Sequence, residues 1–191
     1  MITAGVDEAG RGPLAGPVVC AAVILPPDDG LAGLDDSKKL GEGRREQLFE
    51  AILGIATAHC IQFIDPATID RMNILQATLH GMRLALLGLD PKPELALIDG
   101  NRLPADLPCA ARALVGGDGL ERSIMAASVL AKVSRDRYLR ELDIRYPGYG
   151  FARHKGYPTA EHLAALLRHG PCPEHRRSYG PVQQAALFSA D

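Results

Sequence analysis

The chain holds 191 residues, 47% of them hydrophobic, with 21 Lys and Arg against 23 Asp and Glu for a formal charge of −2. That is enough apolar material for the core of one domain, the near-neutral average speaks against a chain coated in basic charge for nucleic acid, and no apolar run is long enough to span a membrane. No charged segment precedes an apolar one at the N-terminus, and Cys20, Cys60, Cys109 and Cys172 are scattered without C-x-x-C spacing, which predicts a cytoplasmic protein with reduced thiols and neither a zinc site nor a disulfide framework.

From the N-terminus, residues 2–6 read as a short strand and residues 18–25 as a longer buried one, rich in Val and Ala. Asp7 and Glu8 then fall at a strand end. Two adjacent acids repel each other and are costly to desolvate, so they favour a place where a cation lies between them. Gly10, Gly12 and Gly16 expose backbone N–H groups, and Arg11 adds a fork of donors suited to phosphate. Carboxylates for a hard metal beside an anion cradle point to phosphoryl chemistry; a polar hairpin loop with a surface acid pair is the other reading of these residues alone.

DEAGRGP at 7–13, followed by LAGPVV, resembles the opening motif of ribonuclease HII, a family that cleaves RNA within duplex DNA, including single embedded ribonucleotides. The likeness continues along most of the chain and is closest to the bacterial members. What it implies about fold is a ribonuclease H-like α/β domain, and what it implies about individual residues is taken up below in chain order.

Residues 26–34 form a turn-rich connection into DDSKKL at 35–40, which is similar to the family's second block; the resemblance implies that Ser37 and Lys38 approach the nucleic-acid backbone. A helix is predicted over 42–58, a third strand over 59–64, and helices over 66–71 and 73–87, where Ile74, Leu75, Leu79, Met82 and Leu86 make an apolar stripe. Asn73 suits the N-cap of the second of these. Residues 95–98 read as a buried strand ending in Asp99-Gly100, either a simple turn or an acid pointing into the cluster of Asp7. The resemblance favours the acid, as a third catalytic carboxylate.

Residues 110–115 read as the last strand, followed by Gly116-Gly117-Asp118-Gly119. The family usually has Lys-Gly-Asp or Lys-Ala-Asp here, its Asp being the fourth carboxylate. In this chain Gly116 stands where that Lys would be, which leaves Asp118 as the candidate acid and Glu121 as the fallback. A long helix over 121–146 carries small residues early and basic ones late, and its S-I-x-A-A-S-x-x-A-K-V-x-R-D pattern is similar to the family's. Core packing is the expected job of Ser123 and Ser128.

Residues 132–177 hold ten Lys and Arg against five Asp and Glu, a distribution that predicts a basic face beside an acidic site. The segment YPGYGFARHKGYP at 146–158 breaks the helix and mixes aromatics with charge, suited to stacking on sugars while meeting phosphates. The resemblance in HKGYPT implies that Tyr157 contacts the sugar next to the ribonucleotide. His154 is read either as a surface histidine or as a group moving protons. Thr159 is a fitting N-cap for a helix to about 169, and PVQQAALF from Pro181 reads as a closing helix. Within it the run from Gln184 to Phe188 loosely resembles the Q-x-x-L-F peptide that docks on bacterial sliding clamps, although Leu187 and Phe188 also suit packing on the domain.

The order of elements predicts one α/β domain over 1–191, with a mixed central sheet flanked by helices and a helical and loop extension from about 146 that contacts substrate. Asp7, Glu8, Asp99 and Asp118 together supply oxygen ligands for two Mg²⁺ or Mn²⁺ ions that neutralise a phosphodiester and activate water, giving 3′-hydroxyl and 5′-phosphate products. On this reading Gly10, Arg11 and Gly12 meet the ribonucleotide's 2′-hydroxyl through main-chain groups, the partner is an RNA/DNA hybrid or a ribonucleotide-containing duplex, and the protein is a monomer. A metal-dependent phosphatase of small molecules would leave the segment 132–177 without a task, and a non-catalytic nucleic-acid module would not need four acids.

Overall fold

The computed structural model describes residues 1–188. Strands β1 (Thr3–Ala9), β2 (Val18–Ile24), β3 (Ala58–Ile64), β4 (Leu95–Asp99) and β5 (Ala110–Leu114) form a single sheet in the order β3-β2-β1-β4-β5. β1 pairs antiparallel with β2, and β2 antiparallel with β3, while β1–β4 and β4–β5 are parallel. The sheet is therefore mixed, as the short link between the first two strands requires.

Period-two alternation divides the core between the two faces. From β2, Val19, Ala21 and Val23 pack against α1 (Glu42–Ile55) and α4 (Arg122–Arg145), through Ile52, Ala127 and Leu130. Cys20, Ala22 and Ile24 face the other way, onto Met82, Ala85 and Leu86 of α3 (Ile74–Leu87). Covered on both sides, β2 is wholly buried, which is why it reads as a continuous apolar run. Gly5 lets α4 sit close on β1: a Cβ there would lie 2.1 Å from the backbone of Ser123.

α2 (Pro66–Met72) is capped by Asp65, whose side chain accepts from Thr68 N–H, and α3 by Asn73, whose side chain accepts from Gln76 N–H, as the N-cap preference predicts. α6 (Ala160–His169), capped by Thr159, and α7 (Gly180–Phe188) close the chain. Two features depart from expectation. β1 continues through Ala9, so Asp7 and Glu8 lie inside the strand. A one-turn helix, α5 (Phe151–His154), lies between Gly150 and Lys155, both in left-handed conformation, and is too short to leave a periodic pattern.

Candidate active site

β1 and β4 run side by side with Val6 opposite Ile98, so the residues that follow, Asp7 and Asp99, emerge next to each other. Asp99 is opposite Leu114 of β5, and the short 3-10 turn at Gly117–Gly119 brings in Asp118, whose N–H faces Asp99 Oδ1 at 3.4 Å. Gly116 opens that turn in the left-handed region at φ 68°. One carboxylate oxygen from each of Asp7, Asp99 and Asp118 lies within 4.8 Å of the others. Glu121 is exposed and lines a different cavity, with Leu120 and Arg122.

Alternation separates the adjacent pair. Val6 belongs to the α3-side core, so Asp7 turns toward α4 and Glu8 toward α3, where it lines a cavity with Leu75, Thr78 and Leu79. Glu8 Oε1 is 3.7 Å from Arg11. Asp7 accepts from Glu8 N–H at 2.7 Å, and the nearby Ser128 hydroxyl pulls slightly against the rise in its pKa. The Ser37 and Ser128 oxygens are 2.8 Å apart. Ser128 thus stands beside an active-site acid while packed in the core as expected. Ser37 is 3% exposed, with its hydroxyl directed inward.

Burial pushes the Asp7 carboxyl well above its ordinary range, and the charges of Glu8 and Asp99 add to this. Burial likewise raises Glu8, against the pull of Arg11, and raises Asp99 with help from Asp118. Lys38 reaches in from the rim, its Nζ 2.9 Å from Asp118 Oδ2. Three carboxylates, two of them nearly buried, are crowded together with charge only partly balanced. An all-oxygen, net-negative donor set of this kind fits a hard divalent cation and not a soft one.

A cleft of about 230 Å³ opens over these acids, lined by Asp7, Glu8, Gly10, Arg11, Gly12, Ser37, Lys38, Asp99 and Tyr157, with Lys132 and Arg135. Asp118 adjoins it through Lys38 and Asp99, while the fallback acid Glu121 lies outside it. Tyr157 is 43% exposed and faces Gly12, whose Cβ position would lie 3.5 Å from the tyrosine ring.

The predicted basic face is mostly spent inside the molecule. Arg137 and Arg140 pair with Glu46, Arg153 with Glu161, Arg145 with Glu174 and Lys132 with Asp136, while Arg135 and Arg176 are 1% and 0% exposed. Local charge counting includes Asp136, Glu161 and Glu174 but not Glu46, which lies 91 positions from Arg137, and it cannot see that Arg135 and Arg176 are buried. His154 is buried too: its Nε2 faces Tyr149 O and its Nδ1 accepts from Gly156 N–H.

Comparison with known proteins gives this geometry its family. The model for Ribonuclease HII matches residues 4–181. A ribonuclease HII of Xanthomonas campestris is 57% identical over 185 residues, covering 96% of this chain and 77% of the relative. Among solved structures, ribonuclease H2 from Pyrococcus horikoshii OT3 superposes with a TM-score of 0.82 at 28% identity over the full length of both chains. RNase HII in the PCNA:RNase HII complex from Archaeoglobus fulgidus does so with 0.73 at 27% identity, over 94% of this chain and 95% of that one. Acids converging from β1, β4 and the turn after β5, beneath a glycine loop, on a chain matched over nearly its whole length, place it in the ribonuclease HII family.

Proposed function

We propose that this ribonuclease H, an endoribonuclease of RNA/DNA hybrids, also cuts on the 5′ side of single ribonucleotides embedded in duplex DNA, leaving 3′-hydroxyl and 5′-phosphate ends. The observation that carries the reading is the convergence of Asp7, Asp99 and Asp118 beside the Gly10–Gly12 loop and Tyr157 in one cleft. Asp7, Asp99 and Asp118, with Glu8 beside them, would hold the divalent cations, two Mg²⁺ or Mn²⁺, which supply charge neutralisation and an activated water at neutral pH. The chain's own residues do the rest. Glu8 N–H holds Asp7 in orientation, and Lys38 and Arg11 present positive charge to phosphates at the rim. Main-chain groups of Gly10, Arg11 and Gly12 read the 2′-hydroxyl, and Tyr157 meets the neighbouring deoxyribose.

The test is cleavage of three duplexes with Mg²⁺, with Mn²⁺ or with chelator. A hybrid and a single-ribonucleotide duplex should both be cut with metal and spared with chelator, and an all-DNA duplex should be spared throughout. Cutting of the DNA duplex, or cutting in chelator, would remove the reading.

On this account the protein acts in the cytoplasm in ribonucleotide and primer removal, and the stretch from about residue 146 is the part of the single domain that closes over substrate. Leu187 and Phe188 do not pack on the domain: they are 79% and 70% exposed on α7, beside an apolar groove formed with Leu163 and Leu167. With a PCNA complex known for the Archaeoglobus protein, we assign the run ending in these residues to a sliding clamp bound by a protein that is itself monomeric. Replacing both by alanine should weaken clamp affinity by about 10-fold or more, measured by titration calorimetry; unchanged affinity would dispose of the assignment.

A further inference from the structure

We propose that Arg135 and Arg176 are positioning residues that fix the glycine loop and Tyr157 as one rigid gauge, and that selectivity for a lone ribonucleotide depends on them. This rests on the reading above, in which Gly10–Gly12 and Tyr157 meet the substrate. Both guanidiniums are buried. An interior arginine ordinarily faces a carboxylate, yet these two donate their hydrogen bonds to backbone carbonyls and one tyrosine hydroxyl. Arg176 donates to the carbonyls of Gly10, Arg11 and Gly16 and to the Tyr179 hydroxyl. Arg135 donates to Ala15 and Pro17 at 2.9 and 3.0 Å, and to Lys155 at 2.9 Å.

Peptide geometry turns these contacts into a functional constraint. In a planar trans peptide the C=O of one residue and the N–H of the next point in opposite directions. Drawing the Gly10 and Arg11 carbonyls inward to Arg176 therefore turns the N–H groups of Arg11 and Gly12 away from it, toward the cleft. Gly10 has to be glycine for the same reason: at φ 94° a Cβ would lie 1.9 Å from Arg135 Nε. The second half of the gauge hangs on Arg135, which joins the loop to the carbonyl of Lys155, two residues from Tyr157. Leu14 N–H reinforces this by donating to Gly156 O at 2.8 Å. The spacing between loop and tyrosine is thus set from beneath, by two guanidiniums whose hydrogen bonds go to backbone carbonyls and one hydroxyl.

A lone ribonucleotide offers a single 2′-hydroxyl with deoxyribose beside it, so the gauge has to be in register. An RNA/DNA hybrid offers a hydroxyl at every step and tolerates a shifted loop. The experiment compares Arg176→Lys and Tyr179→Phe with the unaltered protein on both duplexes, with the divalent-metal rise in Tm as the control on the acids. Lysine keeps the charge but cannot reach three carbonyls with a planar fork. A displacement on the ångström scale should lower kcat/KM on the single-ribonucleotide duplex by about 100-fold, at least several times more than on the hybrid, with the metal-induced Tm rise retained.

Tyr179→Phe removes only a rim hydroxyl, which donates to Arg11 O at 2.8 Å, so the fold survives even where Arg176→Lys does not. It should lower the same ratio by roughly 3- to 10-fold, the value of one neutral hydrogen bond. Equal losses on both duplexes, or none, would overturn the proposal. Failure of the underlying reading would appear in the unaltered protein, as an inability to select the single ribonucleotide at all, and would overturn both.

Discussion

Asp7→Asn is expected to abolish cleavage and, in chelator, to make the protein more stable than the original. The two effects have one origin. Asp7 is 4% exposed, and burial, then Glu8 and Asp99, hold its carboxyl well above the ordinary range. Raised above its unfolded value, it keeps its proton in the folded chain where the unfolded chain has already lost it. Stability is therefore highest at low pH and is lost as pH rises through the folded value. At neutral pH without metal, a carboxyl whose charge the site disfavours in this way is a cost that its ligand role offsets. Asparagine keeps an acceptor for Glu8 N–H while removing that charge, so Tm in chelator should rise by a few degrees, at about 2–4 °C per kcal/mol for a chain of this size.

With saturating Mg²⁺ the order should reverse. At a hundredfold excess over Kd, a ligand bound only by the native state adds about 2.7 kcal/mol, and the variant should lose most of that gain. Turnover should fall by at least about 1,000-fold, the cost of one strong electrostatic contact at the reacting centre. Asp99→Asn should behave alike. Near-normal turnover in a folded variant would take either acid out of the mechanism, and a lower Tm in chelator would contradict the electrostatic account of the site.

The part of this site legible in the sequence is the part written in local pattern. Strand, turn and helix signals placed nearly every element, and the motif around Asp7, the strand-end Asp99 and the turn acid Asp118 gave the converging carboxylates. What escaped depends on distance along the chain or on faces. Period-two alternation alone puts Asp7 and Glu8 on opposite sides of β1, so the cation expected between neighbours is instead framed by acids from three segments. Arg135 and Arg176 look like members of a basic stripe, because the carbonyls they satisfy lie up to 166 positions away. For Leu187 and Phe188 the sequence left both clamp docking and packing on the domain open, and the fold leaves them exposed.

The histidines of the C-terminal region carry the other large expected effect, a steep loss of stability in acid. His162 and His175 face each other, Nε2 to Nε2, at 3.0 Å. His162 Nδ1 lies 2.9 Å from the Tyr157 carbonyl, and His175 Nδ1 accepts from Cys172 N–H at 3.0 Å. A carbonyl can only accept and an N–H can only donate, so the protons are assigned: His162 carries its own on Nδ1 and His175 carries its own on Nε2, giving it to His162. Each ring must be neutral for this chain to exist, and a second proton on either one would set two donors against each other or against the Cys172 N–H.

Burial accordingly pushes His162 down to about 4, and burial together with His162 pushes His175 down to about 3. Both fall below the unfolded value near 6.5, so the unfolded chain takes up protons first. The stability they supply is intact above about pH 6.5 and drains as pH falls from there toward the folded values, by about 2 kcal/mol for each ring by pH 5. The active-site acids titrate with the opposite sign, gaining stability on acidification, and the profile is therefore best measured in Asp7→Asn, where that gain is reduced.

In that background, denaturant unfolding between pH 7.5 and 5 should show a limb corresponding to the uptake of about two protons. His175→Asn, which keeps an acceptor for Cys172 N–H, should cut it to about one, at some cost in overall stability from lost ring packing. An unchanged slope would mean that these rings are not the groups that titrate.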